Sequence, residues 1–549
     1  MWRRPKWPIA LALLIVISFA FSRPAEKYFE VAKSLDIFAT LFKEVNAYYV
    51  DEVEPEKLVR TGIDAMLGSL DPYTDYISEE EMESFRISTT GQYGGVGAMI
   101  GIVNKKVVIT QPYEGFPAYK TGLMVGDEII EIDGKNVEGK RTSEVSSLLK
   151  GKPKTDVQIK IRRYGKKDDL LFKVTREKIN VSNVAHYGLI GSDIAYIRLD
   201  DFTPGAAYEV ADALIELKEK GATKLILDLR ENPGGLLHEA VNIVSLFIPK
   251  GMEVVSTKGK VDEWNKVYKT LNNPLDTEIP MVVLTSEGSA SASEIVAGTL
   301  QDYDRAVLVG EKTFGKGLVQ TTRPLSYNGQ LKVTTAKYYI PSGRCIQALD
   351  YTHRKEDGTV VKIADSLKVQ YKTKNGRIVY DGGGLDPDIK VQNDYTGTIT
   401  SELVDAGLIF EYASKFCGEN PQPDDLSGFS LSEKQYDSFI KWLKTQNFTY
   451  TTSLERNTRQ LIETAKNERL YADLEIYLDG LRNKIDANKS SDYIRFKDEI
   501  KNLLEEQIAF HYDLENGRAQ VSLRRDQDII AAKKVLKDTA AYEKIIHPI

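Results

Sequence analysis

Short apolar strand patterns alternate with amphipathic helical patterns between Asn180 and Val391, and this alternation constrains the fold more than any other feature. The predicted strands are Ile194–Leu199, 223–230 and Met281–Thr285. The predicted helices are 204–220, 238–247 and 291–300. Strands that alternate with helices form βαβ units around a largely parallel sheet. We therefore expect an α/β core whose functional groups follow the ends of its strands.

The composition limits the function classes that the chain can belong to. Its 549 residues exceed one ordinary core and indicate roughly three or four domains. The formal net charge of −7 and the lack of a sustained basic stripe argue against nucleic acid as a partner. Two cysteines without a CxxC pair and five scattered histidines without HExxH form no metal-site pattern. We expect neither a metal nor another cofactor.

The N-terminus has the pattern of an export segment. Arg3, Arg4 and Lys6 precede the apolar run 7–21, which is shorter than the roughly 20 residues that a spanning helix needs. Residues 1–22 are therefore predicted to be a signal peptide or an uncleaved signal anchor; the alternative is a buried core helix. We expect export to the periplasm or cell envelope, with attachment to the inner membrane if the segment is retained.

Helical patterns flank the central region on both sides. Val31, Leu35 and Phe38 recur at helical spacing and predict a helical N-terminal arm over residues 23–85. Residues 396–549 are helical and polar and contain no recognisable catalytic motif. We predict a helical C-terminal extension there, for packing or assembly, and helical ends of this kind favour a homodimer.

Residues 86–178 change to short strands and turns. Gly122-Leu123, Gly126-Asp127 and Asp133-Gly134 mark turns whose order along the chain resembles a PDZ domain. Such a domain binds a peptide by adding it as a strand to a sheet edge, and a glycine-rich loop holds the terminal carboxylate. The candidate loop comprises Tyr93, Gly94, Gly95, Val96 and Gly97. The alternative is a glycine-rich hairpin without a ligand.

Three serines lie where the strand Met281–Thr285 passes into the next predicted helix: Ser289, Ser291 and Ser293. A serine at such a junction projects from a sharp turn, and the N–H of the next residue lies at a helix N-terminus that favours an oxyanion. Ser291 fits this position best, with the Ala292 N–H as an oxyanion donor. Ser291-Ala-Ser-Glu294 is also a capping box, which requires no catalysis.

Lys316 supplies a candidate base in a segment that contains no histidine. It lies between two glycines in a setting of Phe314, Leu318 and Val319, and desolvation there is expected to lower its pKa. Only the neutral amine can take a proton from a serine. If 316–320 is a strand, Lys316 and Gln320 share a face, so that Gln320 can orient the lysine. The alternative is a surface lysine on a glycine hairpin.

The turn Asn232-Pro-Gly-Gly235 follows another predicted strand and offers a second oxyanion donor. Glycine exposes its N–H and allows a substrate backbone to approach closely. Gly234 or Gly235 is the candidate donor, and a plain β-turn is the alternative.

Three motifs occur in order behind the PDZ-like unit: Asp228-Leu-Arg-Glu-Asn-Pro-Gly-Gly235, Gly288-Ser-Ala-Ser-Ala-Ser-Glu294 and Thr313-Phe-Gly-Lys-Gly-Leu-Val-Gln320. Over residues 28–395 the chain resembles the carboxy-terminal processing peptidases, also called tail-specific proteases. The resemblance implies an exported serine endopeptidase with nucleophile Ser291, general base Lys316 and orienting residue Gln320. It also implies a multidomain α+β protein with a crotonase-like α/β protease core over residues 179–395.

The same resemblance implies that the PDZ domain captures the C-terminal tails of protein or peptide substrates and gates the active site. Arg163 is the best match for an arginine that couples substrate binding to activation in some members, and an activating adaptor is a further expected partner. Two other readings remain: a catalytically inert PDZ adaptor of the envelope, and a crotonase-like acyl-CoA enzyme. The intact set of Ser291, Lys316 and Gln320 favours the peptidase.

Overall fold

The computed structural model describes residues 7–355, 359–392 and 396–548. The chain divides into two compact units, one formed by residues up to Tyr76 with Thr322–Val333, the other by Ile77–Thr321 with Thr334 onwards. Among the described residues no helix contains a stretch both long and apolar enough to span a membrane.

The first unit is mainly helical. Its elements are α1 (Trp7–Tyr48), α2 (Pro55–Gly68) and most of a short strand, β1 (Asp75–Ile77). Helix α1 runs across residues 22 and 23, and the division predicted between them stays a prediction. Asp71 ends the helical region by accepting hydrogen bonds from the N–H groups of Tyr73 and Thr74, both at 2.8 Å.

The second unit begins with the PDZ-like domain. Its elements are α3 (Met82–Thr90), β2 (Gln92–Gly95), β3 (Ala98–Val103), β4 (Lys106–Pro112), α4 (Pro117–Lys120), β5 (Glu128–Ile132), β6 (Lys135–Asn136), α5 (Thr142–Leu149), β7 (Asp156–Arg162), β8 (Leu170–Thr175) and β9 (Glu177–Asn180). Alternate strand residues, including Ile159 and Ile161, fill its core. The main sheet has the order β3-β4-β5-β7-β8, so β3 is an edge strand.

The α/β core follows. Its elements are β10 (Val184–Ile190), β11 (Ile194–Leu199), α6 (Ala206–Glu219), β12 (Lys224–Asp228), α7 (Leu237–Ser245), β13 (Glu253–Gly259), β14 (Lys266–Lys269), β15 (Met281–Thr285), α8 (Ala292–Asp302), β16 (Val307–Gly310), β17 (Leu318–Pro324), β18 (Gln330–Tyr339), β19 (Leu349–Arg354), β20 (Val360–Lys362), β21 (Gln370–Lys372), β22 (Ile378–Tyr380) and β23 (Ile389–Lys390). Short 3-10 helices lie at Asp262–Trp264 and Asp365–Leu367.

One sheet organises this core, with the order β10-β11-β12-β15-β16-β23. All neighbours from β11 to β23 are parallel, and only β10 pairs antiparallel. The predicted βαβ alternation is thereby confirmed. In a second sheet, β13 lies between β14 and β18, and β17 pairs with β18.

The C-terminal part is helical. It comprises α9 (Thr398–Asp405), α10 (Leu408–Glu419), α11 (Glu433–Thr445), α12 (Ser453–Asn467), α13 (Tyr471–Ser490), α14 (Asp492–Arg495), α15 (Lys497–Ser522), α16 (Gln527–Lys537) and α17 (Thr539–Ile546). Helices α6, α7 and α8 pack on one face of the parallel sheet, and α16 and α17 pack on the other. The helical extension therefore supplies one layer of the α/β core.

Candidate active site

Three neighbouring parallel strands end at the same edge of the core sheet. Strand β12 ends at Asp228, β15 at Thr285 and β16 at Gly310. The carboxyl ends of parallel strands are where α/β proteins place their functional groups. The segments that follow these strands carry the three sequence motifs, and they meet here because the strands are adjacent.

The Asn232 turn is joined directly to the serine segment. The Asn232 carbonyl accepts hydrogen bonds from the Ala290 N–H at 3.0 Å and the Ser293 hydroxyl at 2.9 Å. The fully buried Asn232 side chain donates to the Leu199 carbonyl at 2.7 Å and so fixes the turn to the sheet. These bonds hold the two loops in register.

The three serines occupy different environments. Ser289 is fully buried and donates to the Leu229 carbonyl at 2.7 Å, while Ser293 is fully buried and donates to Asn232. Both hydroxyls therefore stabilise the loop structure. Ser291 is half-buried and lies immediately before α8. Of the three, Ser291 alone combines partial exposure with the predicted strand-to-helix position.

The Ser291 backbone is strained. Its φ of 56° and ψ of −112° lie in a region that L-residues rarely adopt, at a cost of about 1–3 kcal/mol. A sharp, strained turn before a helix is the geometry of a nucleophile elbow. The next residue, Ala292, begins an 11-residue helix whose N-terminus carries partial positive charge. The turn therefore combines a projecting serine with a favourable site for an oxyanion.

Glu294 connects the serine turn to the lysine loop. Its carboxylate is completely buried and accepts four hydrogen bonds, from the N–H groups of Ser291, Gly315 and Lys316, each at 2.9 Å, and from the Thr313 hydroxyl at 2.6 Å. Burial raises the pKa of Glu294, and the four hydrogen bonds oppose this effect. The sequence suggested only the contact with Ser291, as half of a capping box.

Lys316 lies in a loop and not, as predicted, in a strand. Strand β17 begins only at Leu318, because Gly315 and Gly317 direct their backbones to Glu294 and to the Gln347 side chain. The Gly317 N–H donates to Gln347 Oε1 at 2.8 Å. The lysine is half-buried, but Phe314 is 49% exposed, so the setting is less apolar than predicted.

Tyr338 provides a second link between the predicted nucleophile and base. Its buried hydroxyl donates to the Lys316 carbonyl at 2.6 Å and lies 3.1 Å from the Ser291 carbonyl. Glu294 thus binds the amide side of both residues, and Tyr338 approaches the carbonyl side of both. Their backbones are fixed close together.

Gln320 lies on β17 and donates through Nε2 to the Thr334 hydroxyl of β18 at 3.1 Å. This bond fixes the amide against the neighbouring strand. The predicted orientation of Lys316 by Gln320 stays a prediction.

The two oxyanion candidates in the turn differ. Gly234 has a φ of 92°, and a Cβ there would approach the Ala292 nitrogen to 2.7 Å, so this glycine packs against the serine turn. Its N–H donates to Asn232 Oδ1 at 2.9 Å. Gly235 instead packs against Phe202, whose carbonyl a Cβ would approach to 2.7 Å. Their predicted roles as oxyanion donors, like that of Ala292, stay predictions.

The candidate carboxylate loop lies next to the edge strand of the PDZ-like domain. Residues Tyr93, Gly94 and Gly95 belong to β2, which pairs with β9, and Val96 and Gly97 lead into β3. Gly97 has a φ of 77°, and a Cβ there would approach the Phe116 Cβ to 2.5 Å. The loop therefore requires glycine at this position.

Arg163 forms an ion pair within the PDZ-like domain. Its guanidinium donates to both carboxylate oxygens of the buried Asp127 at 2.6 Å and to the Gly122 carbonyl at 2.7 Å. Burial raises the pKa of Asp127, and Arg163 opposes this effect. These contacts stabilise the Gly122–Asp127 turn, and the predicted role of Arg163 in activation stays a prediction.

Comparison with known proteins identifies the family. Residues 193–355 match Peptidase family S41, residues 108–163 match a PDZ domain, and residues 399–536 match "Probable PDZ-protease, C-terminal helical domain". The carboxy-terminal-processing protease of Bartonella bacilliformis is 38% identical over 345 residues, which cover 62% of this chain and 78% of that protein. The chain belongs to peptidase family S41.

Two further proteins are similar to this chain. A CtpA-like serine protease of Staphylococcus aureus is 37% identical over 317 residues, covering 57% of this chain and 62% of that protein. The solved photosystem II D1 C-terminal processing protease aligns with 69% of this chain and 97% of its own at 27% identity, with a TM-score of 0.33. This S41 chain is accordingly a serine endopeptidase with a PDZ domain and a C-terminal helical domain, and the inert reading has no support.

Several residues that shape this S41 site could not be found by motif reading. Tyr338 and Gln347 contact the lysine loop from 22 and 30 residues away. Gln347 ends the segment Tyr339-Ile-Pro-Ser-Gly-Arg-Cys-Ile-Gln347, which also resembles the family, but the resemblance assigned no role to either residue. Arg230 was quoted only as part of a motif, yet it contacts Asp528, which is 298 residues distant. The one sequence signal for the importance of Arg230 was its charge next to a glycine turn.

Proposed function

We propose that this chain is an exported endopeptidase that cleaves proteins at or near their C-terminal tails. Ser291 is the nucleophile, Lys316 the general base and Gln320 the residue that orients the lysine. The α/β core is crotonase-like. The observation that carries the proposal is the single buried Glu294 carboxylate, which binds both the strained Ser291 turn and the Lys316 loop.

The chemistry follows from this arrangement. The neutral Lys316 amine accepts the Ser291 hydroxyl proton while Oγ attacks the peptide carbonyl carbon. The Ala292 N–H stabilises the resulting oxyanion with one N–H from Gly234 or Gly235. The Lys316 ammonium then protonates the leaving amine. A water molecule, deprotonated by Lys316, hydrolyses the acyl-enzyme and restores Ser291.

The second oxyanion donor suggests how substrate controls the reaction. The Gly234 N–H is occupied by Asn232 Oδ1, so its use as a donor requires the turn to change when a substrate enters. In this proposal the PDZ domain receives the substrate's C-terminal carboxylate at residues 93–97 and adds the tail to the β3 edge. Two exposed side chains of β3, Met99 and Ile102, offer apolar contacts to the added strand.

The location and assembly are also proposals. The charged and apolar pattern of residues 1–22 supports export to the periplasm or cell envelope, with the segment serving as signal peptide or membrane anchor. A homodimer and an activating adaptor are consistent with the helical ends and with the PDZ domain.

The test is proteolysis of a denatured protein by the purified chain. Ser291→Ala and Lys316→Ala should each lower activity by at least about a thousandfold, since nucleophile and base act as a unit. Lys312→Ala is the matched control, because Lys312 lies in the same loop but pairs with Asp386 at 3.3 Å. Full activity of the Ser291→Ala protein would overturn the assignment.

A further inference from the structure

The C-terminal helical domain contacts the catalytic core at Arg230. This arginine lies between β12 and the Asn232 turn, and its Nη1 lies 2.8 Å from carboxylate oxygens of both Asp526 and Asp528. Its remaining nitrogens bind Asp228 at the end of β12, with the closest contact at 2.6 Å. One guanidinium therefore joins the helical domain to the strand that precedes the active-site turn.

The two aspartates are themselves held in place by α16. Asp526 is the N-cap of this helix and accepts hydrogen bonds from the N–H groups of Asp528 and Ile529 at 2.9 and 3.1 Å. The apolar face of α16, formed by Ile529, Ala532 and Val535, is buried against the core sheet. The first residues of a packed helix therefore hold both carboxylates next to Arg230.

The cluster is buried and rich in negative charge. The Arg230 side chain is 20% exposed and the Asp528 side chain 4% exposed. Burial raises the pKa of Asp528 against the opposing effect of Arg230, while the pKa of Asp228 stays below its ordinary value despite burial because Arg230 pairs with it. Breaking one contact inside such a cluster is costly, because it leaves a buried charge without its partner.

The active-site turn follows Arg230 directly in the chain, so a displacement of the Arg230 main chain also displaces this turn. Glu231 is strained, with a φ of 58°, and its N–H donates to Ser286 on the serine segment at 3.0 Å. The next residue, Asn232, holds Ala290 and Ser293 through its carbonyl. The position of the arginine backbone therefore constrains the turn that faces Ser291.

We propose that Asp526 and Asp528 are positioning residues of the peptidase, which act through Arg230 to hold the turn 231–235 against the Ser291 segment. The helical domain then helps to position the active site, in addition to forming one layer of the fold. This inference rests on the proposed function, because it requires Ser291 to be the nucleophile and the turn to face the substrate.

The experiment compares Asp526→Asn, Asp528→Asn and the double variant in the full chain. Asparagine at 526 keeps the helix cap but removes the charge. Cleavage of a quenched fluorescent peptide with a free C-terminus should show kcat reduced by about tenfold or more in the double variant, with KM within about twofold. A purely structural role would lower the amount of folded protein without this separation of kcat from KM.

Asp538→Asn is the matched control. Asp538 caps the adjacent helix α17 through the Ala541 N–H at 3.0 Å, in the same helical layer. Its kcat should equal that of the wild type. The inference is overturned if kcat is unchanged in all Asp526 and Asp528 variants, or if Asp538→Asn lowers kcat equally. If the double variant does not fold, the single variants decide. Activity that persists in Ser291→Ala would instead refute the proposed function itself.

Discussion

The Glu294 carboxylate accepts a hydrogen bond from the Lys316 backbone N–H at 2.9 Å, across 22 residues of sequence. The same oxygen, Oε2, accepts the Ser291 N–H at 2.9 Å. One atom thus fixes the main chains of the proposed nucleophile and base, and it belongs to a completely buried side chain.

Replacing Glu294 with glutamine should therefore impair catalysis. The amide oxygen can still accept hydrogen bonds, but the NH₂ group would face N–H or O–H donors that lose their acceptor, at about 1–3 kcal/mol for each buried group. We expect kcat/KM for a peptide substrate to fall by about ten- to a thousandfold. Glu239→Gln is the control, because Glu239 is also buried and accepts an N–H, from Ala207, away from both loops. Equal activity losses in the two variants would contradict a specific role.

Tyr338→Phe should show how much the Tyr338 hydroxyl contributes to the site independently of Glu294. The change removes the hydroxyl that donates to the Lys316 carbonyl, while the ring keeps its buried position. Loss of one such hydrogen bond corresponds to about 1 kcal/mol, and we expect kcat to fall by about fivefold to tenfold. Tyr339→Phe changes the next residue, whose ring lies beneath Lys258, and should leave steady-state kcat unaltered. An unchanged kcat in Tyr338→Phe would show that the Tyr338 hydroxyl does not help to position Ser291 and Lys316.

Gly97→Ala should weaken peptide binding to the PDZ domain. Both Gly97 and Gly115 have a φ of 77°, so alanine at either position incurs a similar backbone cost of about 1–2 kcal/mol. At Gly97 the added methyl group also meets Phe116, whereas nothing lies within 4 Å at Gly115. Fluorescence anisotropy with a labelled C-terminal peptide, measured in the Ser291→Ala background, should show weaker binding for Gly97→Ala only. Equal affinities would place the carboxylate site elsewhere.

Acid should destabilise the contact of α10 with α15. His511 Nδ1–H donates to the Gln507 carbonyl at 2.7 Å, and Nε2 lies 2.9 Å from Ser414 Oγ. Burial lowers the pKa of His511 from 6.5 to about 4. The unfolded chain therefore takes up the proton first, so stability is lost as the pH falls from 6.5 towards 4. The expected loss from this group is about 2 kcal/mol at pH 5.

Urea unfolding at pH 7 and pH 5 measures this effect. His511→Gln should reduce the loss of unfolding free energy between pH 7 and pH 5 by about 2 kcal/mol. Part of the loss should remain, because burial also lowers the pKa of His186 to about 4. His353→Gln provides the control, because His353 is exposed and pairs with Asp350 outside the contact of α10 with α15, so that its replacement should leave the contribution of His511 in place. An unaltered pH dependence in His511→Gln would show that water reaches this imidazole.

Local patterns predicted the elements better than the contacts between them. The strands Ile194–Leu199 and Met281–Thr285 have the predicted bounds, because apolar runs and periodicity are properties of adjacent residues. The motif that surrounds Ser291 also placed the serine at a strand-to-helix junction. The strand considered for residues 316–320 begins only at Leu318, since the glycines beside Lys316 bind partners that a linear pattern does not reveal.

The contacts of the helical extension with the core could not be predicted from local patterns either. Asp526 and Asp528 have the sequence pattern of an ordinary helix cap, and only the folding of α16 onto the sheet brings them to Arg230. Glu294 was correctly recognised as a capping residue, but its second set of partners comes from a loop that follows β16. Long-range contacts of this kind depend on which strands are neighbours, and a single sequence does not specify that order.

The positive φ at Ser291 restricts which residues can replace this serine. At a φ of 56° a branched β-carbon is disfavoured, so threonine is a poor substitute although it carries the same hydroxyl. Glycine, by contrast, adopts this conformation freely. The inactive Ser291→Gly protein should therefore melt at a higher temperature than the active enzyme. On the proposed function, the strained main chain directs the Ser291 hydroxyl where a relaxed conformation would not place it, and this direction is obtained at the expense of stability.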